Sequence, residues 1–259
     1  MTDSLTYCDT RVSGRDVVVA GSFAGAAAFT LAYEYGARAL IAHAAGPGKD
    51  AAGISGLADA ERRGVPAAAV ETMSARIGDG DSLWADGIVA YANDAARALG
   101  VAIGMPASGA ARRLLKARAG VPVPGAVDRT QTVALETGTG RVVLTMSTSF
   151  VTAENQPDVV CTGSHGGRVN ALPILAHPPR GVILHDGGMS RDHAGVAGLV
   201  LLDGGGIAAM AVASASARIG DPRSAWDTGV LSAVNRAAEK RGVSVGLTAK
   251  AAAARILRD

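Results

Sequence analysis

The sequence is poor in aromatic residues and cysteines, and neither sign of charge dominates it. Phe, Trp and Tyr make up only 3% of the 259 residues, so a core must be packed from Ala, Val, Leu and Ile. The formal net charge is +2, with 25 Lys and Arg against 23 Asp and Glu. Because the chain has no basic stripe and no basic patch interleaved with aromatics, it predicts no nucleic-acid partner.

Neither a redox motif nor a targeting segment is evident. Cys8 and Cys161 are the two cysteines, and their spacing is typical of neither metal binding nor thiol redox chemistry. Residues 1–14 are polar and lack an apolar h-region. The uncharged stretch 17–33 contains Gly, Ser and Thr, which favours a buried strand and helix over a membrane span. These features predict a reduced cytoplasmic protein without a membrane partner.

What the chain does contain is an internal repeat. The segment Ser-Ala-Arg-Ile-Gly-Asp occurs at 74–79 and again 142 positions later, at 216–221. At the same offset, without a gap, further pairs are identical: His43 and His185, Asp50 and Asp192, Trp84 and Trp226, Asn93 and Asn235. Residues 142 positions apart are called matched residues below. The period is far too long for a solenoid and indicates a duplicated domain.

Each copy alternates strands with helices. Strands are predicted at 17–20, 39–42 and 67–70, and again at 159–162, 181–184 and 208–212. A third helix is expected to run to Gly100 or Gly242, with a short fourth strand after it. We therefore predict an internally duplicated α/β fold of two pseudo-twofold-related βα units, each with a mostly parallel sheet covered on both faces.

The connector between the copies has a different pattern. Residues 121–125 read Val-Pro-Val-Pro-Gly, which is typical of a linker, and the β-branched segments 130–136 and 141–150 predict a hairpin. The domains are accordingly predicted as a first repeat at 1–115, a linker and hairpin arm at 116–140, and a second repeat at 141–259.

Three polar loops follow the first three strands of each copy. Ligands of parallel α/β sheets bind beyond the carboxyl ends of the strands, so we expect a site where these loops meet. The second loop is rich in glycine and carries a Lys or Arg before Asp50 or Asp192, a combination that suits a carboxylate or phosphate. The predicted anion-binding residues are Lys49, Arg76, Arg191, Arg218, Ser216, Gly166 and Gly188.

Simpler explanations exist for the charged residues of these loops. Asp50 and Asp192 would then cap a helix after a flexible turn, and Arg76 and Arg218 would form an ion pair with the neighbouring aspartate or across the two copies. Asp79 and Asp221 are predicted as helix N-caps, since Asp221 precedes Pro222, a favourable first helical residue.

Histidines gather in the second copy, which holds four of the five. His165, Asp186 and His193 stand there in place of Phe23, Ala44 and Ala51. The cluster could be a general acid–base set with Asp186 orienting an imidazole. It could instead ligate a divalent metal, or be polar residues collected at a solvated edge. The predicted catalytic residues are His165, His185, Asp186, His193 and Ser164.

Ser22 and Ser164 lie in the motif Gly-Ser-x-x-Gly between a strand and a helix. This is not the Gly-x-Ser-x-Gly elbow of the α/β-hydrolases. Ser164 could be a nucleophile activated by a histidine, and the alternative is a helix N-cap.

Two tandem α/β halves of this kind resemble, in architecture, the aspartate/glutamate racemase group. That group uses one cysteine from each half, whereas Cys161 is matched here by Val19. The resemblance therefore does not imply a two-cysteine racemase, and Cys161 is expected to be a small core residue.

The sequence thus predicts an enzyme that acts on a small anionic metabolite. A hydrolase or lyase of a carboxylate or amide compound fits best, with no cofactor and with its site in the second repeat. The alternative is a non-catalytic small-anion-binding protein with two pseudo-symmetric sites. A purely structural role leaves the loop cluster unexplained. A homo-oligomer is expected, because a unit that once self-associated would have become fused.

Overall fold

The computed structural model describes residues 1–258 of the chain, and their contacts divide them into two units. Unit 1 comprises Met1–Pro47, Ala51–Asp128 and Ser190–Asp192. Unit 2 comprises Gly48–Asp50, Arg129–Met189 and the chain from His193 onward. Each unit therefore includes three residues from the opposite half of the sequence.

Unit 1 is built on a four-stranded sheet. In chain order its elements are β1 (Val17–Phe23), α1 (Ala26–Tyr33), β2 (Ala39–His43), α2 (Gly56–Arg62), β3 (Ala67–Val70), α3 (Gly80–Asp86), β4 (Val89–Ala92), α4 (Asp94–Ala98) and α5 (Ala107–Leu114). The strands lie in the order β1-β2-β3-β4. The first three run parallel, and β4 pairs antiparallel with β3.

Unit 2 is built on a six-stranded sheet. Its elements are β5 (Gln131–Thr137), β6 (Gly140–Thr145), β7 (Val159–His165), α6 (Arg168–Ala176), β8 (Gly181–His185), α7 (Gly198–Gly204), β9 (Ala208–Val212), α8 (Pro222–Thr228), β10 (Leu231–Val234), α9 (Arg236–Glu239) and α10 (Ala249–Ile256). The strand order is β10-β9-β8-β7-β6-β5. Strands β6 to β9 run parallel, and the two edge strands are antiparallel to their neighbours.

Matched residues occupy equivalent places in the two sheets. The bounds of β1 and β7, of β2 and β8, and of β4 and β10 all differ by 142 positions. The register agrees as well, since His43 pairs with Val70 and His185 with Val212. The predicted α/β class with mostly parallel sheets is confirmed, and so is the hairpin, formed by β5 and β6.

Small residues fill β3 and let α2 and α7 begin close to the loops that follow β1 and β7. Strand β3 reads Ala-Ala-Ala-Val and is buried throughout. A Cβ atom added at Gly56 would lie 2.7 Å from the carbonyl oxygen of Ala24, and one added at the matched Gly198 would lie 2.6 Å from that of Gly167. Close packing of small residues thus accompanies the low aromatic content of the chain. Cys161 lies in the core of unit 2, as expected.

The fourth strand does not lie where the sequence predicted it. Helices α3 and α8 end at Asp86 and Thr228, and β4 and β10 follow directly, before Gly100 and Gly242 rather than after them. Gly87 makes the sharp turn possible, because a Cβ there would lie 2.3 Å from the carbonyl oxygen of Leu83. Pairing with β3 or β9 then overrides the weak local preference of these short segments.

Among the described residues, no helix has both the length and the apolar character needed to cross a membrane.

Candidate functional site

In unit 2 the loop after β9 contacts the carboxyl ends of β7 and β8 and the loop that follows β8. The N–H of Gly220 donates to the carbonyl of Gly163 at 2.9 Å. The N–H of Ser214 donates to Asp186 Oδ1 at 3.0 Å, and His185 Nε2 lies 3.0 Å from the carbonyl of Ala217. The second and third loops therefore meet at one end of the sheet within unit 2, as expected.

Ser164 is buried at the end of β7 and is not a helix cap. Its Oγ accepts a hydrogen bond from the N–H of Thr148 at 3.2 Å, as Ser22 Oγ does from Leu5 at 2.8 Å. The residues that cap α6 and α1 are Gly167 and Gly25. The N-cap alternative is wrong because β1 and β7 extend three residues beyond their predicted ends, which places each serine inside a strand.

His165 ends β7 and stands in register with His185 on β8. Its side chain is buried, and its Nδ1 accepts a hydrogen bond from the N–H of Gly167 at 3.1 Å. The N–H of Gly166 donates to the carbonyl of His185 at 2.8 Å. Because that donor is engaged, Gly166 does not offer its N–H to an anion in this structure.

The matched histidines His185 and His43 are buried and bonded to backbone on both sides. Nδ1 accepts from the N–H of Gly187 in unit 2 and of Ala45 in unit 1, both at 3.0 Å. Nε2 therefore carries the proton, and it donates to Ala217 in unit 2 and to Thr72 and Ala75 in unit 1. Burial lowers the pKa of His43 to about 4 and lowers that of His185 as well. Both imidazoles are therefore neutral at pH 7.

Asp186 links its own loop to the loop after β9 and to strand β10 of unit 2. It is only 4% exposed, and its Oδ1 accepts from the N–H groups of Gly188 at 2.9 Å and Ser214 at 3.0 Å. Its Oδ2 accepts from the hydroxyl of Ser232 at 3.0 Å. The nearest histidine nitrogen is His185 Nδ1 at 3.8 Å, which is itself an acceptor. Asp186 thus fixes the loop, and it engages the N–H of Gly188 that was predicted to bind an anion.

His193 lies apart from these buried groups, exposed and with a φ of +56°. Within residues 1–258, no group of three or more His, Cys, Asp and Glu side chains is arranged to hold a metal ion. The metal-ligation alternative therefore gains no support from the geometry.

The loop after the second strand has an unusual left-handed backbone in both copies. Positive φ occurs at the matched pairs Gly46 and Gly188, Gly48 and Ser190, Asp50 and Asp192, and Ala51 and His193. Asp50 and Asp192 have φ values of 54° and 55°, whereas an N-cap residue is extended. The helix-capping explanation for these aspartates is therefore wrong. Each non-glycine residue held this way costs about 1–2 kcal/mol, and such strain clusters at functional sites.

Lys49 and Arg218 form a polar cluster in unit 2. The Lys49 Nζ donates to Thr228 Oγ1 at 2.9 Å and lies 3.4 Å from the carbonyl oxygen of Ser216. Arg218 forms two hydrogen bonds to Asp221, at 2.8 and 3.1 Å, and a longer contact of 3.4 Å to Asp50. Both carboxylates of the cluster thus contact Arg218 and neither contacts Lys49. The Ser216 hydroxyl is engaged by Ala213 and Val230.

Unit 1 has a matched cluster in which every cation faces a carboxylate. Arg191 lies 3.1 Å from Asp86 and donates to the carbonyl of Ser74 at 3.2 Å. Arg76 pairs with Asp192 at 2.8 Å. Of the residues predicted to bind an anion, Arg76 and Arg191 therefore belong to unit 1, and Lys49, Arg218 and Ser216 to unit 2. The alternative that Arg76 and Arg218 pair with aspartates is confirmed.

The sequence did not single out Ser190, which is 1% exposed and belongs to unit 1. Its hydroxyl donates to the carbonyl of Ala75 and accepts from the N–H of Ile77, both at 2.9 Å. It also lies 3.2 Å from His43 Nε2. That pair looks like a serine and its base, but Nε2 carries the proton and cannot accept one from Ser190. The matched residue is Gly48, so the repeat gave no signal for a serine here.

The resemblance to the aspartate/glutamate racemase group stays one of architecture. Cys161 is wholly buried in β7, and this burial raises its thiol pKa well above the usual range. Comparison of the chain with protein-family models, with curated proteins and with solved structures gives no match in any of the three.

Proposed function

We propose that unit 2 binds a small anion, a carboxylate or a phosphate, through Lys49 and Arg218. The observation that carries this proposal is the Lys49 ammonium group. It is anchored by the neutral oxygens of Thr228 and Ser216 and, within the described chain, has no carboxylate within 4 Å. An ammonium has three N–H donors, so two neutral acceptors leave one donor and the whole positive charge for a ligand.

Arg218 supplies the second contact for the anion. Its side chain is 47% exposed, and its contact with the exposed Asp50 is long, at 3.4 Å. Exposed ion pairs contribute little stability, so an anion can displace Asp50 at small cost. The Arg218 guanidinium would then offer its planar N–H donors to a carboxylate or phosphate oxygen.

The backbone around Lys49 favours a preformed site. Gly48, Asp50 and Ala51 all have positive φ, and the Lys49 N–H donates to the carbonyl of Ser214 at 2.8 Å. This loop is therefore fixed before any ligand arrives, which reduces the conformational entropy lost on binding.

A thermal-unfolding titration with inorganic phosphate and with acetate, at low ionic strength, tests the proposal. We expect either anion to raise the midpoint, with about 2.7 kcal/mol of stabilisation at a hundred times the Kd. Lys49→Gln should abolish the shift, because it removes the charge that no carboxylate balances.

Lys240→Gln is the matched control, because Lys240 is an exposed lysine of unit 2 at the end of α9. The Lys240→Gln variant should keep the full anion-induced shift of the unfolding midpoint. Equal loss in both variants, or no shift in the wild type with either anion, would contradict the proposal.

Turnover of the bound anion by a hydrolase or lyase reaction is the second candidate. The observation in its favour is that His165 and His185 stand in register at one sheet edge, with Asp186 next in the chain. Against it, both nitrogens of His185 and three donors around Asp186 are already in use. The geometry therefore favours binding over catalysis.

An assay with small carboxylates and amides decides between the two candidates. Turnover by the wild type that is lost in a folded His165→Ala variant would favour the enzyme. Turnover that persists in His165→Ala would contradict the role assigned to His165.

A further inference from the structure

The matched clusters of the two units differ at one position that contacts the cation. In unit 2 the Lys49 Nζ donates to Thr228 Oγ1, whereas in unit 1 the matched Arg191 faces the Asp86 carboxylate at 3.1 Å. Thr228 and Asp86 are themselves matched residues, each the last residue of its helix, α8 or α3. The same place in the fold thus holds a neutral oxygen in one unit and a charged one in the other.

This difference changes the charge balance of the clusters. In unit 1 two guanidiniums contact three carboxylates, those of Asp79, Asp86 and Asp192. Unit 2 has two cations and two carboxylates. Asp50 and Asp221 both contact Arg218, and neither contacts Lys49. A carboxylate already beside the cation both satisfies its donors and repels an arriving anion.

A second exchange on the same helices acts in the same direction. The exposed Asp81 of α3 is matched by the exposed Arg223 of α8. Helix α3 therefore carries two carboxylates, Asp81 and Asp86, whereas α8 carries one, Asp227, together with Arg223.

We infer that the pair Thr228 and Asp86 decides which unit takes the anion: unit 2 binds one, and Asp86 closes the matched cluster of unit 1 to anions. The inference rests on the proposed function and deepens it, because it gives one anion per chain instead of two pseudo-symmetric sites. In unit 1 Asp86 occupies the place that Thr228 holds in unit 2, and its carboxylate pairs with Arg191 and repels an arriving anion.

Counting bound phosphate per chain by isothermal titration calorimetry tests the inference. The wild type should bind one phosphate, and Asp86→Thr should bind two, because Arg191 then keeps only a long contact of 3.9 Å with Asp192. Thr228→Asp should weaken phosphate binding at unit 2 by about tenfold or more, since the new carboxylate would pair with Lys49 and repel the anion.

Two further variants separate charge from shape. Thr228→Val removes the hydroxyl that anchors Lys49 without adding charge, and it should weaken phosphate binding less than Thr228→Asp does. Asp86→Asn is the substitute if Asp86→Thr fails to fold, because it keeps the side-chain shape and should also give two.

The outcomes distinguish the inference from the proposed function. One phosphate in the wild type, none in Lys49→Gln and still one in both Asp86 variants would overturn the inference and leave the proposed function standing. Two phosphates in the wild type would also overturn the inference. No phosphate in the wild type would overturn the proposed function. If the wild type binds no phosphate, one phosphate bound by Asp86→Thr would still support the role of Asp86 in keeping anions out of unit 1. No phosphate bound by Asp86→Thr would overturn that role as well.

Discussion

At the scale of single residues, the matched histidines His43 and His185 act as buried links between a strand end and the loops beyond it. Each accepts a backbone N–H at Nδ1 and donates from Nε2 to a carbonyl of the third loop. A protonated imidazole would lose the Nδ1 contact and bring a charge into a buried place. These links should therefore weaken in acid.

Acid should destabilise the protein through His43. Its pKa is about 4 when folded, against an ordinary value of 6.5. Between these values the unfolded chain binds a proton that the folded chain does not, so the free energy of unfolding falls as the pH drops from 6.5 to 4. The full contribution is about 3 kcal/mol.

Urea unfolding of the wild type and of His43→Gln at pH 7 and pH 4.5 measures this contribution. The variant should be less stable at pH 7 and should lose less stability on acidification. His193→Gln, at an exposed histidine, should behave like the wild type. An unchanged pH dependence in His43→Gln would contradict the assignment.

Ser190 combines a buried hydroxyl with a φ of +62°. Replacing it with Ala or Gly removes the hydrogen bonds to Ala75 and Ile77, so both variants should lose about 1–3 kcal/mol. Ser190→Gly should be more stable than Ser190→Ala by about 1 kcal/mol, because glycine accepts a positive φ without strain.

Thermal or urea unfolding of these two variants gives the difference directly. Equal stabilities would show that the left-handed backbone at Ser190 carries no strain.

At the scale of elements, Asn93 and Asn235 fasten the short helices α4 and α9 to their sheets. Asn93 Oδ1 accepts from the N–H groups of Ala96 and Ala67, and its Nδ2 donates to the carbonyl of Val65. Asn235 repeats this arrangement with Ala238, Ala209 and Ile207. One amide thus caps a helix and completes the hydrogen bonding of a neighbouring strand.

Asn93→Ala should lower the free energy of unfolding by about 3 kcal/mol, since it removes a helix cap and leaves a buried N–H unsatisfied. Asn93→Asp should lose less, because it keeps the acceptor oxygen and loses only the donor to Val65. Chemical denaturation of both variants provides the comparison, and equal losses would exclude a capping role for the oxygen.

Much of the element pattern could be predicted from sequence, because buried strands and helix caps leave local signals. The strand ends at His43 and His185 lie within one residue of prediction, and Asp79 and Asp221 are N-caps as expected. The edge strands β4 and β10 could not be predicted, since four residues carry little pattern and their pairing with β3 and β9 is tertiary. The left-handed loops were missed because Asp50 and Asp192 are also good capping residues.

At the scale of the whole molecule, the grouping of the candidate site residues depends on the unit to which Gly48–Asp50 and Ser190–Asp192 each belong. The sequence placed Lys49, Arg76, Arg191 and Arg218 in one anion site, yet Ser190–Asp192 belongs to unit 1 and Gly48–Asp50 to unit 2. No local pattern encodes that assignment, because it follows from packing between distant parts of the chain. Residue types of the site were therefore predictable from the repeat, and their grouping was not.

The membership of Ser190–Asp192 in unit 1 has a consequence for how the chain can be divided. No single cleavage point yields two fragments that each hold a complete unit, because each half of the polypeptide carries three residues that the other half needs. A fragment ending at Asp128 would lack the hydroxyl that the N–H of Ile77 requires. Such a fragment should therefore be less stable than unit 1 of the whole chain, and a change at Ser190 acts on contacts of residues from the opposite half of the sequence.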